Sequence, residues 1–241
     1  HMYPKFVSGG QANGYDAATL EKIWNDWKAF ASYAFNKSHA TCYSWVAYQT
    51  AFLKANFPAQ YMAAVMSRSL GNIADLAKFL DEVKNMGLVC LGPDVNESFK
   101  KFSVNHVGDI RFGLGGIKGL SENAVNAIIQ ERNEHGAYTS LHNFIERVNL
   151  NVCNRKNIEC LVYAGALDCF PEVRREQYFA EVTEKVTYID TLISYRQRYQ
   201  MEKQESTNSL FGGSDAIEIS KPKPPVDFKI WRSEEHTSEL Q

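Results

Sequence analysis

The chain of 241 residues has a formal net charge of −2, and 44% of its residues are hydrophobic while 22% are charged. These values are typical of a globular protein with a real core. They exclude a uniformly basic nucleic-acid coat, so any contact with nucleic acid must be local. No apolar run approaches the roughly 20 residues of a membrane span, and no signal-peptide core follows residue 1. We therefore expect a cytoplasmic protein without membrane contact.

Familiar catalytic and metal-binding signatures are missing from the sequence. It contains no Asp-x-Asp pair, P-loop, Gly-x-Ser-x-Gly or His-Glu-x-x-His motif. Five cysteines, an odd number without a Cys-x-x-Cys pair, favour reduced thiols over disulfides or a zinc site. We therefore assign no catalytic residue, no metal ligand and no bound cofactor to this chain.

Helical periodicity dominates the first part of the chain. The predicted helices cover about 16–34, 38–57, 59–69 and 73–86. Asp16, Ser38 and Asn72 are the candidate N-caps, and Gly87 is a candidate stop. The expected fold class is mainly α.

After the fourth predicted helix, the spacing of apolar residues changes from helical to alternating. Apolar residues alternate with polar ones on both sides of a Val-Gly-Asp turn, which predicts a small β-hairpin from Phe102, Val104, Ile110 and Phe112. A Gly-rich joint leads into another helix, and further helices are predicted at about 140–148, 155–164 and 172–205. The stretch STNSLFGGS is expected to be a linker, and SKPKPPVDF an extended Pro-rich segment.

The segment FNKSHA at 35–40 places a cation, a hydroxyl and an imidazole between two helices. Lys37 carries a compact charge, and His39 can donate from both ring nitrogens when charged. Ser38 and His39 stand at a helix start, where free N–H groups and the helix dipole favour a phosphate. The pattern predicts contact with a triphosphate or a nucleic-acid backbone. The alternative is a capped turn in which His39 packs against Tyr43.

Gly116-Ile117-Lys118-Gly119, followed by a helix with an apolar face, has the pattern of a helix-hairpin-helix. The glycines let the backbone approach a phosphate, a contact that binds DNA without reading its sequence. The surrounding charge is positive, from Lys100, Lys101, Arg111 and Lys118. The alternative is an ordinary Gly-containing loop before a helix.

Two further segments are candidate binding sites. Residues 151–156 resemble a second, weaker hairpin in which Arg155 and Lys156 contact phosphates, and the alternative is a capped core helix with two solvated cations. Thr207-Asn208-Ser209-Leu210-Phe211 places two large apolar residues in a polar linker. Such a segment is typical of a motif that docks in a partner's groove, although it could also fold back on its own domain.

The stretches FASYAFNKSHATCYSWVAYQTAFLKANFPAQYMAAVMSRSL, FGLGGIKGLSENAVNAIIQERN and LVYAGALDCF resemble the alpha subunit of bacterial DNA polymerase III, a C-family replicative polymerase. The resemblance extends from about Pro4 to Asp227. It implies that residues 1–112 are the end of a fingers domain and that 113–212 form a tandem helix-hairpin-helix and clamp-binding domain. Residues 213–231 would be a linker towards an OB-fold.

The same resemblance implies partners for each candidate site. Asn36, Lys37, Ser38 and His39 would contact the phosphates of an incoming deoxynucleoside triphosphate, and the hairpins would contact primer-template DNA. Residues 207–211 would contact the sliding clamp, the beta subunit, although Thr207 stands where the family usually has Gln. Other replicase subunits are further implied partners. The family's catalytic aspartates and Mg²⁺ belong to an upstream palm domain, so the parent would be a DNA-directed DNA polymerase and this chain alone would be inactive.

The two ends of the chain are treated separately. RSEEHTSELQ, residues 232–241, resembles the in-frame translation of a sequencing adapter, and the alternative is a native polar tail. His1-Met2 is interpreted as a cloning scar or an arbitrary cut. The main competing hypothesis for function is a stand-alone helix-hairpin-helix DNA-binding protein without catalytic activity. A third is an interaction module that binds neither DNA nor nucleotide.

Overall fold

The computed structural model describes residues 2–33, 37–208 and 219–230, and it divides into two compact units between residues 56 and 57. The described part is mainly helical, as predicted, with two small sheets. The boundaries expected at 112 and 212 stay predictions.

The described residues of the first unit form three helices, α1 (Tyr3–Ala12), α2 (Ala17–Tyr33) and α3 (Lys37–Asn56). The sequence did not predict α1. It packs on α2 through aromatic contacts, with the Phe6 ring 5.5 Å from that of Trp24 and 4.9 Å from that of Trp27. Gly10 leaves the space that the buried Leu20 side chain fills. Asp16 caps α2 as predicted, because its Oδ1 accepts from the backbone N–H of Thr19 at 2.9 Å.

Helix α3 has large side chains but no buried residue among those described. Its exposed apolar residues include Tyr43, Trp45, Val46, Tyr48 and Phe52. The helix begins at Lys37, so Ser38 lies in its first turn and the predicted N-cap role of Ser38 is wrong.

The second unit begins with α4 (Pro58–Arg68) and α5 (Ile73–Asn85), both predicted. Asn72 caps α5 by accepting from the N–H of Asp75 at 3.2 Å, and Gly87 has the positive φ of +70° that a helix stop requires. A sheet of β1 (Cys90–Leu91), β2 (Ser103–Val104) and β3 (Ile110–Arg111) follows.

This sheet has the order β1-β3-β2. Strands β2 and β3 form the predicted antiparallel hairpin, with Val104 opposite Ile110. Strand β1, which the sequence did not predict, pairs with β3 in parallel. A small core joins the sheet to α4 and α5, and its buried members include Met62, Met66, Leu76, Val83, Phe102 and Ile110.

The larger core of this unit is built from the described elements that follow. Its elements are a 3₁₀ turn (Leu114–Gly116), α6 (Glu122–His135), α7 (Leu141–Arg147), α8 (Arg155–Ala164), α9 (Arg175–Phe179), β4 (Glu181–Thr183), β5 (Val186–Thr187) and α10 (Tyr188–Asn208). The single helix expected at 172–205 is wrong, because a β-hairpin interrupts it. β-Branched residues favour strands there, and Lys185 turns the chain with a φ of 62°.

The Pro-rich segment at 219–230 has no regular structure and lies against the second unit. The carbonyl of Pro222 contacts Nε2 of His142 at 2.9 Å and accepts from the hydroxyl of Tyr188 at 3.1 Å. The side-chain amide of Gln177 donates to the carbonyl of Pro225 at 2.9 Å. The described part of the expected linker is therefore docked on this unit. Among the described helices, none is long and apolar enough to cross a membrane.

Candidate nucleic-acid interface

The first predicted hairpin connects the 3₁₀ turn to α6. Ile117 is buried, whereas Lys118 is exposed. Gly119 has a φ of +80°, and a Cβ added there would lie 3.1 Å from Sγ of Cys160. Ser121 then caps α6, with its Oγ accepting from the N–H of Ala124 at 3.3 Å. Both the positive φ and the lack of space for a Cβ therefore explain why the motif has a glycine at position 119.

The preceding glycines allow close packing, of Gly115 against the loop at 99–101 and of Gly116 against Phe112. A Cβ on Gly116 would lie 2.8 Å from the Phe112 ring, and one on Gly115 would lie 2.8 Å from the carbonyl oxygen of Lys100. The N–H of Gly115 donates to that same carbonyl at 3.0 Å. The Gly-rich joint thus holds Lys100, and with it Lys101, beside the first hairpin.

The second predicted hairpin connects α7 to α8. The carbonyl of Asn149 accepts from the N–H groups of Val152 and Cys153, at 3.1 and 2.8 Å. Asn154 caps α8, with its Oδ1 accepting from the N–H of Asn157 at 3.2 Å. A tight turn therefore leads directly into a capped helix, as in the first hairpin.

One buried amide connects the two hairpins. Asn157 is 4% exposed. Its Oδ1 accepts from the N–H of Ser121 at 3.0 Å, and its Nδ2 donates to the carbonyl of Val152 at 2.9 Å. Because a buried amide with both ends paired has a fixed orientation, the starts of α6 and α8 are held side by side.

The predicted DNA-binding cations differ in their surroundings. Lys100 pairs with Glu122, whose carboxyl pKa is lowered by that hydrogen bond and charge. Arg111 pairs with Glu97, and Arg155 lies 3.3 Å from Glu159 and 3.0 Å from Asp190. The other three predicted cations are exposed, namely Lys101, Lys118 and Lys156. All three lysines lie at the surface.

Two polar residues that the sequence did not single out hold the loop before the first hairpin. Arg132, which is 8% exposed, donates from one terminal nitrogen to the carbonyls of Val95 and Ser98 at 2.9 Å each. Burial lowers the pKa of this guanidinium. Asn96 pairs with the backbone of Tyr138 through both ends of its amide, at 2.9 and 2.7 Å. Both residues bind backbone groups that lie far away in sequence. No local motif therefore indicates their role.

A groove of about 690 Å³ lies between the loop at 99–101 and α6. Its lining includes Lys100, Lys101, Ile129 and the exposed ring of Phe99. The groove therefore combines positive charge with apolar surface next to the first hairpin.

The predicted nucleotide-binding residues lie in the first unit. Lys37, Ser38 and His39 occupy the first turn of α3 and are exposed, whereas Asn36 lies outside the described residues. The His39 ring is 4.4 Å from that of Tyr43. The packing alternative considered for this histidine is therefore present, and it leaves the residue exposed.

The predicted clamp-binding segment is only partly described. Thr207 and Asn208 belong to the last turn of α10, which continues past the expected end at 205. Ser209, Leu210 and Phe211 lie outside the described residues. Among the described residues, no group of three or more His, Cys, Asp or Glu side chains could hold a metal ion.

Comparison with known proteins gives these observations a family context. Residues 87–177 match a family described as a helix-hairpin-helix motif. The chain is 37% identical over 222 residues to the DNA polymerase III subunit alpha of Xylella fastidiosa, a match that covers 90% of this chain and 18% of that protein. It is 42% identical over 163 residues to the subunit of the same name from Vibrio cholerae, covering 68% of this chain and 14% of that protein.

A third relative matches almost the whole chain. The DNA polymerase III subunit alpha of Treponema pallidum is 39% identical over 231 residues, which is 96% of this chain and 19% of that protein. The chain thus spans less than a fifth of the length of each of these relatives.

Proposed function

Because the chain is homologous to one segment of bacterial DNA polymerase III alpha subunits, we propose that it is part of a replicative DNA polymerase and binds the backbone of duplex DNA. The observation that carries the proposal is the Asn157 amide, which fixes two hairpin turns beside each other. Two adjacent turns of this kind suit successive phosphates, which contacts from helix N-termini and lysines can bind without reading bases.

The charge distribution supports this assignment. Lys118 follows the first turn, Lys156 lies in the first turn of α8, and Lys101 lies beside the first hairpin. Within the described part of the chain, the N–H of Gly119 donates to no protein acceptor. It is therefore available to a phosphate oxygen. Since the chain as a whole is near neutral, we expect only a few phosphate contacts and a modest dependence of affinity on salt.

Fluorescence anisotropy with a short labelled duplex tests this function. We expect binding at low salt, with equal affinity for duplexes of unrelated sequence. The expected slope of log affinity against log salt is about −0.9 for each phosphate contacted. Absence of binding at low salt, or strong preference for one sequence, would refute backbone binding by the hairpins.

We further propose that the start of α3 contacts the phosphates of an incoming deoxynucleoside triphosphate in the complete enzyme. Lys37 and His39 are exposed in one helical turn, where charge and helix dipole act together on an anion. The residues that would bind Mg²⁺ and catalyse phosphoryl transfer are proposed to lie elsewhere in the parent, so this chain alone is expected to be inactive.

Attachment to a sliding clamp is the third proposed role. It relies on residues 207–211, where Leu210 and Phe211 supply apolar anchors. Replacing both by alanine is expected to abolish capture by immobilised beta clamp, whereas Thr207→Gln is expected to strengthen it. Undiminished capture of the double alanine variant would exclude this segment as the docking motif.

A further inference from the structure

The groove between the loop at 99–101 and α6 has an aromatic wall. Its volume of about 690 Å³ lies within the roughly 300–1,000 Å³ of sites that bind small molecules, so a nucleobase fits. The Phe99 side chain that lines the groove is 53% exposed. Single exposed rings are ordinary on protein surfaces, so exposure alone does not identify a site. Phe99 is distinguished by the contacts that hold it in place.

Both the backbone and the ring of Phe99 are fixed. The carbonyl accepts from the N–H of Leu114 at 2.8 Å. The guanidinium carbon of Arg132 lies over the ring, 5.5 Å from its centroid, and Arg132 itself donates to the carbonyls of Val95 and Ser98. Because Arg132 is only 8% exposed, it supports the ring from the protein side. The exposed surface of the ring therefore has a fixed orientation on the groove side.

Side-chain amides of α6 line the same groove, namely those of Asn126, Gln130 and Asn133. Asn126 and Asn133 are exposed. A side-chain amide carries both donors and acceptors, so it can pair with the edge of any base. An aromatic ring with polar side chains beside it is the combination that binds an unpaired base, whose face stacks while its edge forms hydrogen bonds.

The formal charges around the groove nearly cancel. Lys100 is paired with Glu122, and the carboxylate of Glu134 in the lining offsets the charge of Lys101. A groove without excess positive charge has little to hold a phosphate. Stacking on the ring must therefore supply the affinity, and the part of a nucleotide that suits this groove is the base.

We propose that the groove binds an unpaired nucleobase of single-stranded DNA, stacked on the exposed surface of Phe99. The groove adjoins the first hairpin, because the N–H of Gly115 holds the carbonyl of Lys100 beside that turn. The choice of DNA as occupant rests on the proposed function, whereas the fixed ring and the groove do not. The hairpins would hold paired DNA by its backbone, and the groove would hold an unpaired base next to it.

Fluorescence anisotropy at low salt with a labelled oligothymidine tests the site, and an abasic oligonucleotide of the same length is the matched ligand. The whole chain should bind oligothymidine at least about fivefold more tightly, since only this ligand has bases to stack. Phe99→Ala should remove most of this difference. Phe57→Ala, at a phenylalanine that is 50% exposed and outside the groove, should keep it. Equal binding of the two ligands by the wild type, or an unchanged difference in Phe99→Ala, would overturn the proposal.

Two further substitutions separate stacking from a loss of structure or of apolar surface. Phe99→Trp should keep the preference for oligothymidine, because its ring also stacks on a base. Phe99→Leu should lose most of the preference although it keeps a large apolar side chain. A full preference in Phe99→Leu would contradict stacking on the ring.

A blunt duplex distinguishes the failure of this site from the failure of the proposed function. Phe99→Ala should bind the duplex as the wild type does, because all its bases are paired. If oligothymidine binding depends on Phe99 but the duplex is not bound, the groove stands and backbone binding by the hairpins fails. If the duplex is bound normally and Phe99→Ala leaves oligothymidine binding unchanged, the hairpins stand and the groove fails.

Discussion

The side-chain oxygen of Asn157 accepts the backbone N–H of Ser121 at 3.0 Å, which ties the first turn of α8 to the cap of α6. The nitrogen of the same amide donates to the carbonyl of Val152, in the other hairpin. One side chain therefore sets the spacing of the two turns. Its effect on DNA binding should be through geometry, since the side chain carries no charge.

Asn157→Ala is expected to lower the free energy of unfolding by about 1–3 kcal/mol, because it removes the partner of the partly buried Ser121 N–H and of the partly buried Val152 carbonyl. Duplex affinity should fall as well, although the net charge is unchanged. Urea unfolding and anisotropy on the same preparation measure both effects. Asn151→Ala, at an exposed position in the second turn, is the control and should have little effect on stability. A stable Asn157→Ala variant with normal affinity would show that the amide does not position the hairpins.

Gly119→Ala tests the conformation of the first turn. The alanine would have to adopt a φ of +80° with its Cβ 3.1 Å from Sγ of Cys160, so we expect a loss of about 1–2 kcal/mol in the free energy of unfolding. Gly71→Ala is the matched control, because nothing lies within 4 Å of its added Cβ and its φ is not positive. Equal stability of the two variants in urea would contradict the described turn.

Buried thiols should make the fold less stable in alkali. Burial raises the pKa of Cys153 from 9.0 to about 12, and that of Cys169 also to about 12. Between these pH values the unfolded chain loses thiol protons that the folded chain keeps, so the free energy of unfolding falls as pH rises from about 9 towards 12.

Urea unfolding at several pH values measures this dependence. Cys153→Ala should make the decline above pH 9.0 shallower by as much as about 1.4 kcal/mol per pH unit. Cys42→Ser, at an exposed position, should leave the slope unchanged. The buried state of Cys153 would be refuted by a slope that does not respond to its removal.

Lys37→Ala with His39→Ala, made in a complete polymerase parent, tests the proposed nucleotide contact. Loss of a charged hydrogen bond to phosphate, worth about 1.5–3 kcal/mol, should raise the KM for the deoxynucleoside triphosphate at least about tenfold. Lys54→Ala, in the last turn of the same helix, is the control. An unchanged KM in the double variant would exclude this helix start from the nucleotide site.

Local signals in the sequence predicted much of the fold. The cap at Asn72 and the stop at Gly87 defined α5 almost to the residue, and the range predicted at 155–164 matches α8. The β4–β5 hairpin was missed because it interrupts a long polar stretch with helical spacing. Strand β1 was missed because its two residues acquire strand character only by pairing with β3.

The candidate site was predictable only in part. Both hairpins were recognisable from glycine, asparagine and lysine in short runs. The residues that fix them were not, because Asn157, Asn96 and Arg132 act on backbone groups 36, 42 and 34–37 positions away. An asparagine or arginine inside a helical pattern is normally solvated, so sequence alone does not indicate that these are buried. Similarly, the pairing of Lys100 and Arg111 with carboxylates, and of Arg155 with Asp190, depends on tertiary contacts.

Charge reversal at the exposed hairpin lysines tests the central claim most directly. Duplex affinity is measured by anisotropy over a range of salt for Lys118→Glu with Lys156→Glu, and for Lys223→Glu with Lys229→Glu. The second pair changes the net charge equally at exposed positions of the Pro-rich segment. We expect the hairpin variant to lose at least about tenfold in affinity and about two in the magnitude of its salt slope, while the control stays near wild type. Equal losses in both variants would mean that net charge, and not the paired hairpins, binds the DNA.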